Sequence, residues 1–135
     1  KTKEIKKNYY NPKLKNKWPK FPPTSCMCFE KKTLEEVLKK IEFKKYPNLG
    51  IDFRLAVYYS LILNKFHIHK SHLTYYRQVK ESMDSIYTKY RSIKWWKRRE
   101  EAFEFLNYIL KRNKLPINKG LDFFVTKLFN KIISI

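Results

Sequence analysis

The densest cluster of chemically active side chains spans residues 89–99, where six lysines and arginines and two tryptophans occur without an acidic residue. Lysine and arginine neutralise phosphate, and an exposed tryptophan can stack on an unpaired base. In the alternative interpretation, one tryptophan fills the core and the cations are only solvated, so we expect one buried and one partly exposed tryptophan. The segment predicts a nucleic-acid contact formed by Lys89, Arg91, Lys94, Trp95, Trp96, Lys97, Arg98 and Arg99.

A second set of candidate side chains consists of a cysteine pair and a histidine cluster. Two thiolates and two imidazoles would complete a tetrahedral zinc site. A single residue separates the cysteines, which is not the usual spacing of a zinc-binding pair, so we expect no cofactor. If zinc were bound, its ligands would be Cys26, Cys28, His67 and His69, with His72 as a substitute.

The sequence lacks the common catalytic motifs, including a glycine-rich phosphate loop, G-x-S-x-G and H-E-x-x-H. Three carboxylates, Glu100, Glu101 and Glu104, lie in the first half of a predicted helix, where the helix dipole favours negative charge. We therefore expect a protein without enzymatic activity.

The charge balance indicates the kind of partner. The chain has 31 Lys and Arg against 12 Asp and Glu, a formal net charge of +19. Such an excess favours a polyanion, most commonly nucleic-acid phosphate. The bias towards Lys, Asn, Ile, Tyr and Phe resembles that of proteins encoded by AT-rich genomes, such as apicomplexan or organellar ones. We expect a mitochondrion or another organelle. Two cysteines do not fit a disulfide scaffold and predict a reducing compartment, and no apolar run is long enough to cross a membrane.

Residues 1–32 are predicted to form an extended basic arm. Pro12, Pro19, Pro22 and Pro23 interrupt it, and proline is compatible with neither a continuous helix nor a central strand. The arm either threads along RNA or another protein, or is tethered by Trp18 and Phe21 on its own domain. Its candidate RNA contacts are Lys13, Lys15, Lys17, Trp18 and Lys20.

The apolar periodicity of residues 33–135 predicts a single all-α domain, a bundle of about five helices. Thr33 with Glu36 fits a capping box for the first helix, and Asp52 is the expected N-cap of the second. A third helix is expected from Ser71, with the basic cluster at its joint with the fourth. The second, fourth and fifth helices are predicted at about 53–66, 95–112 and 119–133.

These features favour a structural subunit of a ribonucleoprotein, most simply an organellar ribosomal protein that contacts rRNA and neighbouring proteins. The alternative is a helical adaptor for an acidic protein segment. In composition the chain resembles the helical domain of exported parasite proteins, which implies such docking. A third possibility is an accessory subunit of a mitochondrial complex. An RNA binder should expose its cations, whereas an adaptor should expose an apolar and aromatic surface rimmed by charge.

Overall fold

A computed structural model describes residues 3–4, 18–19, 21–68 and 92–133. Most of the basic arm and the whole predicted third helix lie outside these residues. The expectation of a mostly helical protein is confirmed. The chain divides into two compact units, one containing residues 18–76 and the other residues 77–135. Within the described residues, no helix is both long and apolar enough to span a bilayer.

The first unit contains helices α1, Lys31–Lys40, and α2, Ile51–Val57, and α2 continues as a π-helical turn over Tyr58–Ile62. Single 3-10 turns occur at Thr24–Cys26 and Phe43–Lys45. A two-residue antiparallel pairing joins β1, Lys3–Glu4, to β2, His67–Ile68. The expectation that α2 is buried on nearly all sides is confirmed, since every side chain from residue 53 to residue 59 is buried.

The predicted caps of α1 and α2 are wrong. Helix α1 begins two residues before Thr33, with Glu30 as its N-cap, and the Thr33 hydroxyl donates to the Glu30 carboxylate. Helix α2 begins after Gly50, which places Asp52 in its first turn. There the carboxylate accepts the backbone N–H of Phe53 at 2.7 Å. Threonine and aspartate are both typical of helix starts, and Thr33 and Asp52 do lie near one. Each lies within the first turn of its helix, however, and not at the N-cap position.

The helical conformation of the α2 segment ends at Ile62, earlier than the predicted Phe66. The wider π-helical turn leads into Asn64, whose φ of 51° is in the left-handed region. Asparagine tolerates this conformation better than most residues because its short side chain can bond locally. The backbone N–H of Lys65 then donates to the carbonyl of Tyr59 at 2.8 Å, which closes the end of the helix.

Arg54 is the main exception to the apolar character of α2. Its side chain is buried, with 2% exposure, among residues that precede the helix. The guanidinium donates to the carbonyl oxygens of Glu42 at 2.9 Å, Leu49 at 3.2 Å and Phe43 at 3.4 Å, and also to that of Tyr46. One side chain therefore satisfies four backbone acceptors in the segment that joins α1 to α2.

The described part of the second unit, residues 92–133, is an antiparallel helical hairpin of α3, Ile93–Arg112, and α4, Leu121–Ile133. Both predicted helices are confirmed, although α3 starts two residues before the predicted Trp95 and α4 two residues after the predicted Lys119. The end of α3 is closed by a hydrogen bond of 2.9 Å from the N–H of Leu115 to the carbonyl of Leu110. The main buried apolar side chains of these two helices are Phe103, Phe105, Leu106, Ile109 and Phe123.

Candidate nucleic-acid interface

The start of α3 holds the described part of the predicted basic cluster. Ser92 is the N-cap, and its hydroxyl oxygen accepts the backbone N–H of Trp95 at 3.0 Å. This cap fixes where the helix begins and hence the direction of the next two turns. Lys94 and Lys97 are exposed on these turns. Two ammonium groups on a rigid element are therefore accessible to a phosphate backbone.

The two tryptophans have different environments, as predicted. Trp96 is buried at 7% exposure, and its ring stacks on Phe129 of α4 with a centroid distance of 4.6 Å. Trp95 is half-buried and meets Trp96 edge to face at 4.8 Å. Of these two tryptophans, therefore, only Trp95 retains accessible ring surface on which a base could stack.

Arg99 takes part in the packing of the hairpin. Its Nε donates to the Thr126 hydroxyl at 3.1 Å, and its Nη2 forms a 3.5 Å ion pair with Asp122. The guanidinium carbon also lies 5.2 Å from the ring centroid of Trp95 and 5.1 Å from that of Phe103. Arg99 thus links α3 to α4, while Arg98 beside it is half-buried. Among residues 92–99, Lys94 and Lys97 are the cations that are exposed.

The other predicted nucleic-acid contacts lie in the arm or before α3. Trp18 is half-exposed, and its ring lies 4.8 Å from that of Phe53, with Phe21 at 5.8 Å from the same ring. These contacts are the ones expected if the arm is tethered on its own domain. Outside the described residues lie Lys13, Lys15, Lys17, Lys20, Lys89 and Arg91.

The candidate zinc ligands are only partly within the described residues. Cys26 is half-buried and Cys28 is exposed, and both are free thiols. His67 is exposed, whereas His69 and His72 fall outside the described residues. Among residues 18–19, 21–68 and 92–133, no group of three or more His, Cys, Asp or Glu side chains is arranged to hold a metal ion.

A shallow cleft with a volume of about 380 Å³ lies between α3 and α4. It was not predicted from the sequence. The ammonium groups of Lys119 and Lys127 lie 5.4 and 5.3 Å from the ring centroid of Phe123, which forms part of its lining. Lys111 and Glu104 also line the cleft. Lys111, Lys119 and Lys127 follow one another at intervals of eight residues in sequence, and the hairpin brings them to one surface.

One carboxylate in the hairpin has a perturbed acidity. Burial raises the pKa of Glu100 above its ordinary value, and the negative charge of Glu104 raises it further. Lys127 and a hydrogen bond from Asn130 act in the opposite direction. Because the folded state holds the Glu100 proton more tightly than the unfolded state, ionisation of this group opposes folding.

Replacing Glu100 by glutamine should raise the melting temperature at about pH 7, where the native carboxylate is ionised at a desolvated position. The gain should shrink as the pH falls and disappear at about pH 3, where the carboxyl group is protonated in both states. Thermal unfolding followed by circular dichroism at both pH values measures the effect. The exposed Glu35→Gln on α1 is the control and should show no such pH-dependent gain; an equal gain at both pH values for Glu100→Gln would contradict the assignment.

Comparisons with known proteins add no relative: no family model, no curated protein and no solved structure matches the chain.

Proposed function

We propose that the chain is a non-catalytic structural subunit of a ribonucleoprotein and contacts RNA phosphates through the start of α3. The observation that carries the proposal is the exposure of Lys94 and Lys97 beside the half-buried Trp95 on a capped, rigid helix. Composition favours an organellar ribosome as the host particle. The acidic-protein alternative draws its support from a different surface, the exposed apolar side chains of α4.

The chemistry of this contact is electrostatic. Each lysine that neutralises a phosphate releases condensed counterions, so affinity falls as salt rises and depends little on base sequence. The hairpin region 92–133 has ten Lys and Arg against four Asp and Glu, which adds a favourable long-range field. The accessible part of the Trp95 ring would add stacking on an unpaired base, which also tolerates any sequence.

Sedimentation of the native protein with and without nuclease tests the assignment to a ribonucleoprotein. The protein should sediment with a large particle at low salt, and nuclease should return it to the top of the gradient. Crosslinked nucleotides should map to the start of α3. Sedimentation that is unchanged by nuclease would overturn the proposal.

Replacing both Lys94 and Lys97 by glutamine should weaken binding to single-stranded RNA and flatten its salt dependence. Loss of two phosphate contacts should reduce the slope of log K against log salt by about 1.4, since each contact to a single strand contributes about 0.7. Fluorescence anisotropy of a labelled oligonucleotide, titrated with the full chain over a range of salt concentrations, gives this slope.

The matched control removes the same charge from the exposed end of α1, as Lys39→Gln with Lys40→Gln. Its slope should stay close to that of the unmodified chain. If the two double variants reduce the slope equally, net charge alone accounts for binding and the start of α3 is not the contact.

A further inference from the structure

Helix α4 has two opposite faces with different surroundings. One face packs on α3 through Phe123, Thr126 and Asn130, and the amide of Asn130 donates to the carbonyl of Trp96 at 2.9 Å. The other, which we call the outer face, is exposed although it is almost entirely aliphatic and aromatic. The outer face consists of Leu121 at 56% exposure, Phe124 at 56%, Val125 at 37%, Leu128 at 58% and Ile132 at 59%.

The spacing on the outer face specifies the shape of an occupant. Leu121, Val125, Leu128 and Ile132 follow one another at steps of four, three and four residues, which is the alternation of d and a positions in a heptad. Leucine occupies both d positions, and a β-branched residue occupies both a positions. This combination favours the packing of two helices side by side. The outer face therefore fits a second helix better than a strand or a loop.

The charges beside the outer face specify the chemistry of that helix. Lys131, next to Ile132 of the outer face, is exposed, and Asp122, the helix's single carboxylate, forms an ion pair with Arg99. The ammonium of Lys127 lies over the ring of Phe123, on the side of α4 that faces α3. The chain as a whole has a net charge of +19. A second copy would bring the same positive charge to the contact, and an acidic helix would bring the complementary charge. Charge complementarity therefore favours an acidic partner over self-association.

We propose that the outer face of α4 docks an acidic amphipathic helix of a partner protein. Leucines and β-branched residues of α4 interdigitate with the apolar stripe of the partner, and Lys131 faces its carboxylates. This site is separate from the proposed RNA contact at Lys94 and Lys97, because aliphatic side chains offer nothing to a phosphate backbone. The chain would then connect RNA to a protein neighbour.

A pair of model peptides tests the proposal on the full-length chain. Both are labelled three-heptad helices with leucine at a and d; one has glutamate at e and g, and the other has lysine there. We expect the glutamate peptide to bind at least about tenfold more tightly by fluorescence anisotropy, and its affinity to fall with salt. Equal affinities for the two peptides would overturn the acidic partner.

Leu128→Ser locates the binding. This side chain is 58% exposed, so the variant should keep the melting temperature of the unmodified chain while binding the glutamate peptide at least about tenfold more weakly. The matched control is Ile117→Ser, which removes an exposed isoleucine outside α4 and should leave peptide affinity unchanged. Equal losses in the two variants would overturn the site.

Two further results distinguish other occupants of the outer face. A concentration-dependent dimer in light scattering, abolished by Leu128→Ser, would overturn the proposal in favour of a second copy. The second result uses the Lys94→Gln, Lys97→Gln double variant with the glutamate peptide bound. If RNA displaces the peptide from this variant, RNA covers the outer face and the proposal is overturned. That double variant should retain full peptide affinity, so failure of the RNA contact and failure of the docking site are separately visible.

Discussion

Replacing Arg54 by methionine is expected to lower the free energy of unfolding by about 3–5 kcal/mol. The guanidinium donates to the carbonyls of four residues between Glu42 and Leu49 and is almost completely buried. Methionine fills much of the same volume but donates nothing. The carbonyl oxygens cannot be removed by the substitution, so they would remain in place without these donors.

Urea unfolding followed by circular dichroism measures the Arg54 effect. The control is Arg112→Met at the exposed last turn of α3, which should change stability by no more than about 0.5 kcal/mol. Arg54→Lys should fall between the two, since an ammonium keeps the charge but is a compact donor that cannot match the planar fork. If the free energy of unfolding falls no more in Arg54→Met than in Arg112→Met, the four hydrogen bonds make no net contribution to stability.

The two adjacent tryptophans should differ sharply when each is replaced by alanine. Trp96→Ala removes a buried ring that stacks on Phe129 at 4.6 Å, and should cost about 3–5 kcal/mol. Trp95→Ala removes a half-buried ring that contacts Trp96 by its edge and lies beside the guanidinium of Arg99, and should cost about 1 kcal/mol.

RNA affinity should show the reverse order for the two tryptophans. Trp95→Ala should weaken binding of a single-stranded oligonucleotide about tenfold or more, since stacking on one base contributes about 1–3 kcal/mol. The measurement is made at a temperature where both variants remain folded, as judged from their urea unfolding curves. Equal stability losses would mean that Trp95 is as much a part of the core as Trp96 and would remove it from the proposed contact.

The helices with regular apolar spacing were predictable from sequence. Helices α3 and α4 follow steps of three and four residues, so their existence required no knowledge of their neighbours. Their last residues were predicted correctly, whereas their first residues were displaced by two, because the start of a helix depends on local hydrogen bonds. At α1, Thr33 has the right side chain for an N-cap, but its hydroxyl bonds the Glu30 carboxylate. A capping motif does not reveal which polar group will compete for the hydroxyl.

The roles of the arginines could not be read from the chain. Arg54 interrupts an apolar helix, and the sequence alone does not show whether such a side chain extends to solvent or bonds buried carbonyls. Arg99 lies within a run of cations typical of a phosphate contact, yet it bonds Thr126 and Asp122, 27 and 23 residues away. Long side chains reach groups far away in sequence, so residue type predicts their chemistry but not their partner.

The two faces of α4 also show what periodicity leaves open. An apolar helix was expected here, and its sequence fits packing on this chain or on another equally well. The hairpin resolves this for Phe123 and Asn130, which are buried, and leaves Leu128 and Ile132 exposed. In the docking proposal, the charge of the neighbouring Lys131 and the net charge of the chain select the occupant.

The exposed outer face of α4 has a consequence for the amount of this protein that a cell can hold. Chaperones and proteases recognise clustered aliphatic side chains that folded proteins normally cover. A copy that is made in excess of the proposed partner of α4 would expose such a cluster and would be degraded. The abundance of the chain would thus follow the supply of its neighbour, and subunit stoichiometry would be set after translation, by degradation of unassembled copies.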